Sequence, residues 1–366
     1  MGNNKKRKKS TSGKPKSFLK RKGVTLSPKV YFVKAMGAMA MGLFASLLIG
    51  TIFSTLGKYL TFGDSFLSEV GKWASAAAGC AIGVAIAHSL EAPGLVLFSA
   101  AAVGAAGYGL GGTFVVGGVE KTLTAGPAGA FIAVLIAVEL GKIVSKETKV
   151  DIIVTPSVTI LSGVLIAKLV CPYIAWAMYY LGNFINYTTE LHPLVMGIII
   201  SALIGIILTL PISSAAICAM IGISGLAGGA AMAGCCAHMV GFAFLSYKEN
   251  KVGGLVAQGI GTSMLQMGNL TRKPALWIPP VLISVITGPL STTVFKLRCE
   301  GVNAGMGTCG FVGPLGGLTS PGDKDTLYYI GIAVICVVLP AVLGILFSGL
   351  FRKIGLIKKD DLKLDL

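Results

Sequence analysis

Charged side chains are in short supply: Asp, Glu, Lys and Arg make up 13% of the 366 residues. A soluble domain carries about a quarter, so this chain lacks the polar groups to cover a folded surface in water. Histidine occurs three times (His88, His192, His238), without the spacing of a metal-ligand set. There is no Walker A loop, which excludes an ATP-driven pump, and no catalytic constellation. Neither metal nor cofactor is expected. Of the eight cysteines, six fall inside apolar runs as small packing residues, while Cys299 and Cys309 flank a glycine-rich segment where they have the option of pairing.

What the chain does contain is apolar length. Hydrophobic residues make up 54% of it and its mean hydropathy is +0.80. Residues 35–57, 92–119, 169–189, 274–295 and 326–351 carry no charge, and 191–247 is long enough for two crossings. About 20 residues at 1.5 Å rise cross a bilayer core of about 30 Å. These runs are apolar on all faces, as in 194–210, where barrel strands would alternate, so helices are expected. Spans are predicted near 31–57, 73–90, 93–118, 126–144, 152–181, 193–211, 226–246, 275–295 and 327–350, with broken apolar stretches near 212–225, 252–270 and 299–318. Glycine pairs such as Gly37 with Gly42 and Gly222 with Gly225 are read as close-packing sites.

Residues 1–29 hold eleven Lys or Arg and no acid, against twenty basic and fifteen acidic residues in the rest of the chain. Directly before a span, such a tail fixes orientation and meets anionic lipid head groups rather than nucleic acid. With Lys142, Lys146 and Lys149, and with a basic C-terminus, it places both ends in the cytoplasm and makes the number of crossings even: eight or ten. The first apolar run is too long for a signal-peptide core, so no leader is expected. The division is a basic tail (1–29), a transmembrane domain (30–351) and a C-terminal tail (352–366). A weak internal repeat near 73–165 and 226–325 rests on Ala78-Gly79-Cys80-Ala81 with Ala233-Gly234-Cys235-Cys236, Gly94-Leu95-Val96 with Gly254-Leu255-Val256, and Thr124-Ala125-Gly126-Pro127 with Ile286-Thr287-Gly288-Pro289.

Residues 299–317 contain seven glycines and one proline between two spans. Glycine costs about 1 kcal/mol per residue inside a helix, so a straight crossing is excluded. Either this is an exposed loop, or it is a re-entrant hairpin that shelters free backbone groups at membrane depth. The re-entrant reading is favoured. Pro211 followed by Ser213 and Ser214 marks a second break, and Gln258, Gln266 and Asn269 mark a third. Ionisable groups inside apolar runs are functional suspects. Lys168 sits mid-span and is expected to face a cavity or an acidic partner, Arg298 and Glu300 border the glycine hairpin, and His238 is read first as a core residue. The expected solute-binding set is Lys168, Ser213, Ser214, Gln258, Asn269, Arg298, Glu300 and Asn303.

With Thr155-Pro156-Ser157-Val158-Thr159, Leu181-Gly182, 211–216, 225–231, 258–263 and Gly268-Asn269, the glycine hairpin resembles the PfoR-like membrane proteins, the type-2 EIIC-like family of the sugar phosphotransferase system, over nearly all of residues 30–350. The resemblance implies a transporter-like fold, a homodimer, a bacterial cytoplasmic membrane and a regulatory side role. Phosphoryl carriers (IIA and IIB) are expected on separate proteins, because only sixteen residues follow position 350. The reading is an all-α integral membrane protein with about 8–10 transmembrane helices and re-entrant hairpins. It is expected to be a permease for a small polar or anionic solute that works by elevator- or rocking-type alternating access. The alternatives are an EIIC subunit that needs separate carriers, and a membrane sensor signalling through its basic tail.

Overall fold

The computed structural model describes residues 18–24, 27–28, 30–60, 66–116, 119–189, 191–322 and 324–364. The basic run at 5–9 lies outside the described residues. Helix α1 is Val30–Gly57, followed by α2 (Phe66–Ala76) and α3 (Ala78–Ser89), which meet at a 48° bend, and by α4 (Gly94–Gly109). A short antiparallel pair, β1 (Gly111–Val116) and β2 (Val119–Thr124), leads to α5 (Gly126–Val144), α6 (Asp151–Thr188) and α7 (Pro193–Thr209). Then come α8 (Ser214–Ile221), α9 (Gly225–Leu245), α10 (Tyr247–Val256), α11 (Met267–Arg272) and α12 (Pro274–Val294). The chain closes with α13 (Gly301–Ala304), α14 (Val312–Thr319) and α15 (Thr326–Lys353).

Among the described residues six helices are long and apolar enough to cross a membrane (α1, α5, α6, α9, α12 and α15), or seven if the α2–α3 pair is one broken span. The expected eight to ten is reached only by adding the shorter apolar helices α4 and α7. The span expected at 93–118 ends early. Leu110 turns extended, and the β-branched Thr113, Val115 and Val116 pair with β2. The repeat matches do not share a position in their elements, since Gly126-Pro127 opens α5 whereas Gly288-Pro289 lies near the end of α12. Gly222 and Gly225 take positive φ (63° and 58°) with open space around them, so they are turn residues; of the other pair Gly42 does pack on the Ala81 carbonyl, whereas a Cβ on Gly37 would meet nothing within 4 Å. All eight cysteines are free.

Two apolar cores form, and α9 runs through both. Its first half, from Ala227 to Cys236, joins Ile200 and Ile204 of α7, Ile217 of α8 and Leu297. Its second half, with Ala237, Phe242 and Leu245, joins Met39, Ile82, Val134 and Leu265. Between the two lies a small cluster of Met239, Leu48 and Cys309. The helix is buried over 94% of its span window because it is lined with Gly, Ala and Cys, which let neighbours close on every side. A Cβ on Gly234 would stand 2.6 Å from Ser201 Cα on α7.

At one end the Arg352 guanidinium grips Glu249 with two bonds, Nη1–Oε1 at 2.7 Å and Nη2–Oε2 at 2.9 Å, and the Glu249 side chain is 4% exposed. Removing one partner strands the other charge. Arg352→Ala is expected to cost about 3 kcal/mol of stability, whereas the double change with Glu249→Gln costs clearly less; thermal unfolding in detergent measures both. Equal losses would show that the pair does not couple α10 to α15.

Candidate solute-binding site

Three interruptions of helical backbone converge on the middle of α9. In the first, α7 ends as Leu210 turns extended, and Ser213 then caps α8, its hydroxyl accepting the Ala216 N–H at 3.2 Å. In the second, α10 passes into a π turn, Ala257–Gly261; Thr262 is extended, and a 3-10 turn follows at Ser263–Gln266. In the third, Lys296 turns the chain after α12 at φ +47°, residues 297–300 carry on without helix, Glu300 being extended, and α13, a glycine turn and α14 follow.

Glycine on both partners lets the third segment lie directly on α9. A Cβ at Gly228 or Gly229 would run into the carbonyls of Cys299 or Leu297. Cys299 N–H donates to the Gly225 carbonyl (3.3 Å) and Gly301 N–H to the Ile223 carbonyl (2.8 Å). Side chains alternate along the segment, so that Leu297 and Cys299 are buried while Lys296, Arg298 and Glu300 are exposed. Farther on, the Ser214 hydroxyl donates to the Gly305 carbonyl at 2.7 Å, which joins the first interruption to the third. Gly307 (φ +54°) sits where a Cβ would be 2.7 Å from Cys235 Cβ, and Gly310 (φ +53°) lies on Ile52 of α1. Cys235 is halfway along the 21 residues of α9. At 1.5 Å per residue the hairpin therefore meets a spanning helix about 15 Å from either end.

Polar groups gather at the same level. Thr308 Oγ1 donates to the Gly259 carbonyl and lies 3.6 Å from Met239 Sδ, joining the second interruption to the third. Thr209 Oγ1, on the last residue of α7, is 2.7 Å from Ser263 Oγ and 2.9 Å from His238 Nδ1. His238 is fully buried, and its Nε2 has no hydrogen-bond partner among the described residues. That nitrogen faces Gly205, where a Cβ would stand 2.9 Å away. An unpaired buried polar atom costs about 1–3 kcal/mol, so it calls for an explanation. The network consists of hydroxyls, backbone carbonyls, a thioether and one imidazole, with no carboxylate or cation.

The residues expected from sequence fall into three groups. Ser213, Ser214 and Asn303 belong to the convergence; Asn303 is half-buried, and a Cβ on Gly316 would be 2.8 Å from its Nδ2. Gln258 and Asn269 belong to an amide ladder. Gln258 donates to Ser246 Oγ (2.8 Å) and the Gly254 carbonyl (3.0 Å), Gln266 donates to Gln258 Oε1 (2.9 Å), and Asn269 donates to Gln266 Oε1 (2.8 Å). Arg298, Glu300 and Lys168 are exposed, the first two beside the hairpin and Lys168 on the outer face of α6. Thr209, Ser263 and Thr308 were missed. Each stands next to a proline or glycine break, and that adjacency was the available signal.

A family model described as "Phosphotransferase system, EIIC" matches residues 33–364, which takes in most of α1, all of α2 to α15 and all three interruptions. No curated protein matches the chain, and no solved structure does. The match bears out the type-2 EIIC-like resemblance and does not extend to the PfoR-like likeness. With its apolar helices and sheltered backbone breaks, the chain belongs to the EIIC family of the phosphotransferase system, whose members form the membrane permease component.

Proposed function

We propose that this permease binds a sugar-type solute, the class its family membership implies, where the three interruptions meet. The observation that carries the reading is His238 Nε2, a buried nitrogen without a partner among the described residues, in a network of hydroxyls and carbonyls. Such uncharged groups suit a polyol better than an anion. Alternating access follows from movement of the elements packed around α9, which both cores share, about the seam that holds Met239 and Thr308. Phosphorylation of the solute uses IIA and IIB carriers. A thermal-shift screen of the purified protein against neutral sugars, sugar phosphates and organic acids tests the site: a ligand stabilises by RT ln(1 + [L]/Kd). Neutral sugars are expected to raise Tm and organic acids to leave it unchanged; the reverse pattern contradicts the reading.

Two partners belong to the same proposal. Lys168 stands near the centre of the 38-residue α6 among exposed Leu161, Leu165, Leu169 and Trp176. A lone charge facing lipid at mid-bilayer costs about 2.5–3.5 kcal/mol, which a second copy of the chain offsets by bringing a hydrogen-bond acceptor or an acid to it. A cysteine at Leu165 is expected to cross-link two copies under mild oxidation in membranes; monomers alone contradict the homodimer. Anionic lipid head groups meet the N-terminal side at a hollow of about 430 Å³ lined by Arg21, Lys22, Lys142 and Lys146, with Phe18 beside it. Lys142 is held there by Glu139 (3.4 Å) and Lys22 by Glu147, which leaves Arg21 and Lys146 facing a phosphate. The membrane is the bacterial plasma membrane, with both termini on its cytoplasmic side.

A further inference from the structure

The C-terminal residues do not trail into solvent. Gly355 (φ +77°) and Asp360 (φ +64°) turn the chain back after α15, and Ile357 and Leu362 are 2% and 1% exposed. The backbone of this strap then satisfies side chains from α10, the 3-10 turn and α11. Asn250 grips it on both sides, Nδ2 donating to the Leu362 carbonyl (2.8 Å) and Oδ1 accepting the Leu364 N–H (2.8 Å). Gln266 Nε2 donates to the same Leu362 carbonyl (3.0 Å), and Asn269 Nδ2 to the Lys363 carbonyl (2.9 Å). Asp361 Oδ2 accepts from Lys273 Nζ (2.6 Å) and from the Lys358 N–H (2.7 Å). Partial burial raises the Asp361 carboxyl, but the bonds from Lys273 and Lys358 and the charges of Lys273 and Arg272 outweigh it and hold the group below the usual carboxylate range.

Asn250, Gln266, Asn269 and Lys273 thus present donors, and two apolar slots, to a peptide folded into a turn, with an acid between the slots. Gln266 is also the point where this seat joins the interior. It carries the ladder to Gln258 and Ser246, and it shares one 3-10 turn with Ser263, the partner of Thr209 and through it of His238. We infer that residues 354–364 are a peptide ligand held in cis, and that their seat is a peptide-binding site whose occupancy keeps the broken segment 257–272 closed. A segment of a partner protein with the same pattern, an acid next to an apolar residue in a turn, competes for the same donors.

The inference does not depend on the identity of the solute, so its test needs none. Protein ending at Lys353 is placed in nanodiscs, and a labelled synthetic peptide of residues 354–366 is titrated against it by fluorescence anisotropy. Hydrogen exchange is followed at residues 257–270. Saturable binding is expected, weakened at least about tenfold by Asn250→Ala, and truncation is expected to speed exchange at least about tenfold until peptide is added back. Full-length protein supplies a second arm that does not require the truncated form to fold: Asp361→Lys is expected to speed exchange, and adding Lys273→Asp to slow it again. Absence of saturable binding overturns the site, and exchange unchanged by truncation and by Asp361→Lys overturns the restraint.

Discussion

His238→Phe is expected to weaken solute binding by about 10- to 100-fold while leaving the protein folded. Phenylalanine fills the space of the imidazole but presents neither nitrogen. The Thr209 hydroxyl loses its contact at 2.9 Å yet keeps Ser263 Oγ at 2.7 Å and the Gly205 carbonyl at 3.2 Å, so little of the local packing is stranded. The bound solute, by contrast, loses its partner at Nε2 inside a dry site. A buried group left unpaired costs about 1–3 kcal/mol, and each 1.4 kcal/mol is a factor of ten in Kd. His238→Gln, which restores a donor and an acceptor, is expected to recover part of the affinity. Calorimetry with the sugar found in the thermal-shift screen gives both numbers, and unchanged affinity in His238→Phe removes the imidazole from the site.

Gly307→Val is expected to abolish binding, by more than about 100-fold, and to lower Tm. At φ +54° a side chain is strained by about 1–2 kcal/mol, and a β-branched one by more. Its Cβ would also stand 2.7 Å from Cys235 Cβ and 2.8 Å from the Cys235 carbonyl carbon, atoms at the centre of the most buried helix. Neither can yield, since α9 is packed on all sides, so the hairpin must lift away and take Thr308 from Gly259 with it. Gly253→Ala is the control, because its Cβ meets nothing within 4 Å. Equal behaviour of the two variants would show that the hairpin does not need its close seat on α9.

How far the sequence foretold this arrangement differs from one element to the next. Helices such as α5 and α9 were legible to within a residue or two because each is one long apolar run opened by glycine, free of charge in α9 and carrying only Glu139 and Lys142 near the end of α5. The three interruptions were legible too, since proline at 211 and clustered glycine at 253–261 and 301–317 cannot continue a helix. The end of α4 was not, because Gly109 to Gly118 is uncharged like the helix before it and differs only in its denser glycines and its β-branched Thr113, Val115 and Val116. Lys168 drew attention as a charge in an apolar run, but its direction is set by helical phase. Ala167, Cys171 and Ala175, at i, i+4 and i+8, form the stripe that packs inward, and Lys168 lies 100° away from that stripe. This small-residue period was readable in the sequence, and it outweighs the charge as a guide to orientation. The partners of the polar residues were beyond reach. Gln266 meets a backbone carbonyl 96 positions away, and Thr209 meets a serine 54 positions on. A backbone acceptor carries no side-chain signal at all.

The central claim is that backbone broken at mid-membrane, beside His238, holds the solute. A cryo-electron microscopy structure in lipid nanodiscs with the sugar from the thermal-shift screen at saturation tests it directly. The result this account expects is ligand density within hydrogen-bond distance of His238 Nε2, where that nitrogen faces Gly205 of α7, midway between the two lipid head-group layers. Density elsewhere, or a hairpin lying in the aqueous phase while unbroken helices fill the bilayer, contradicts it.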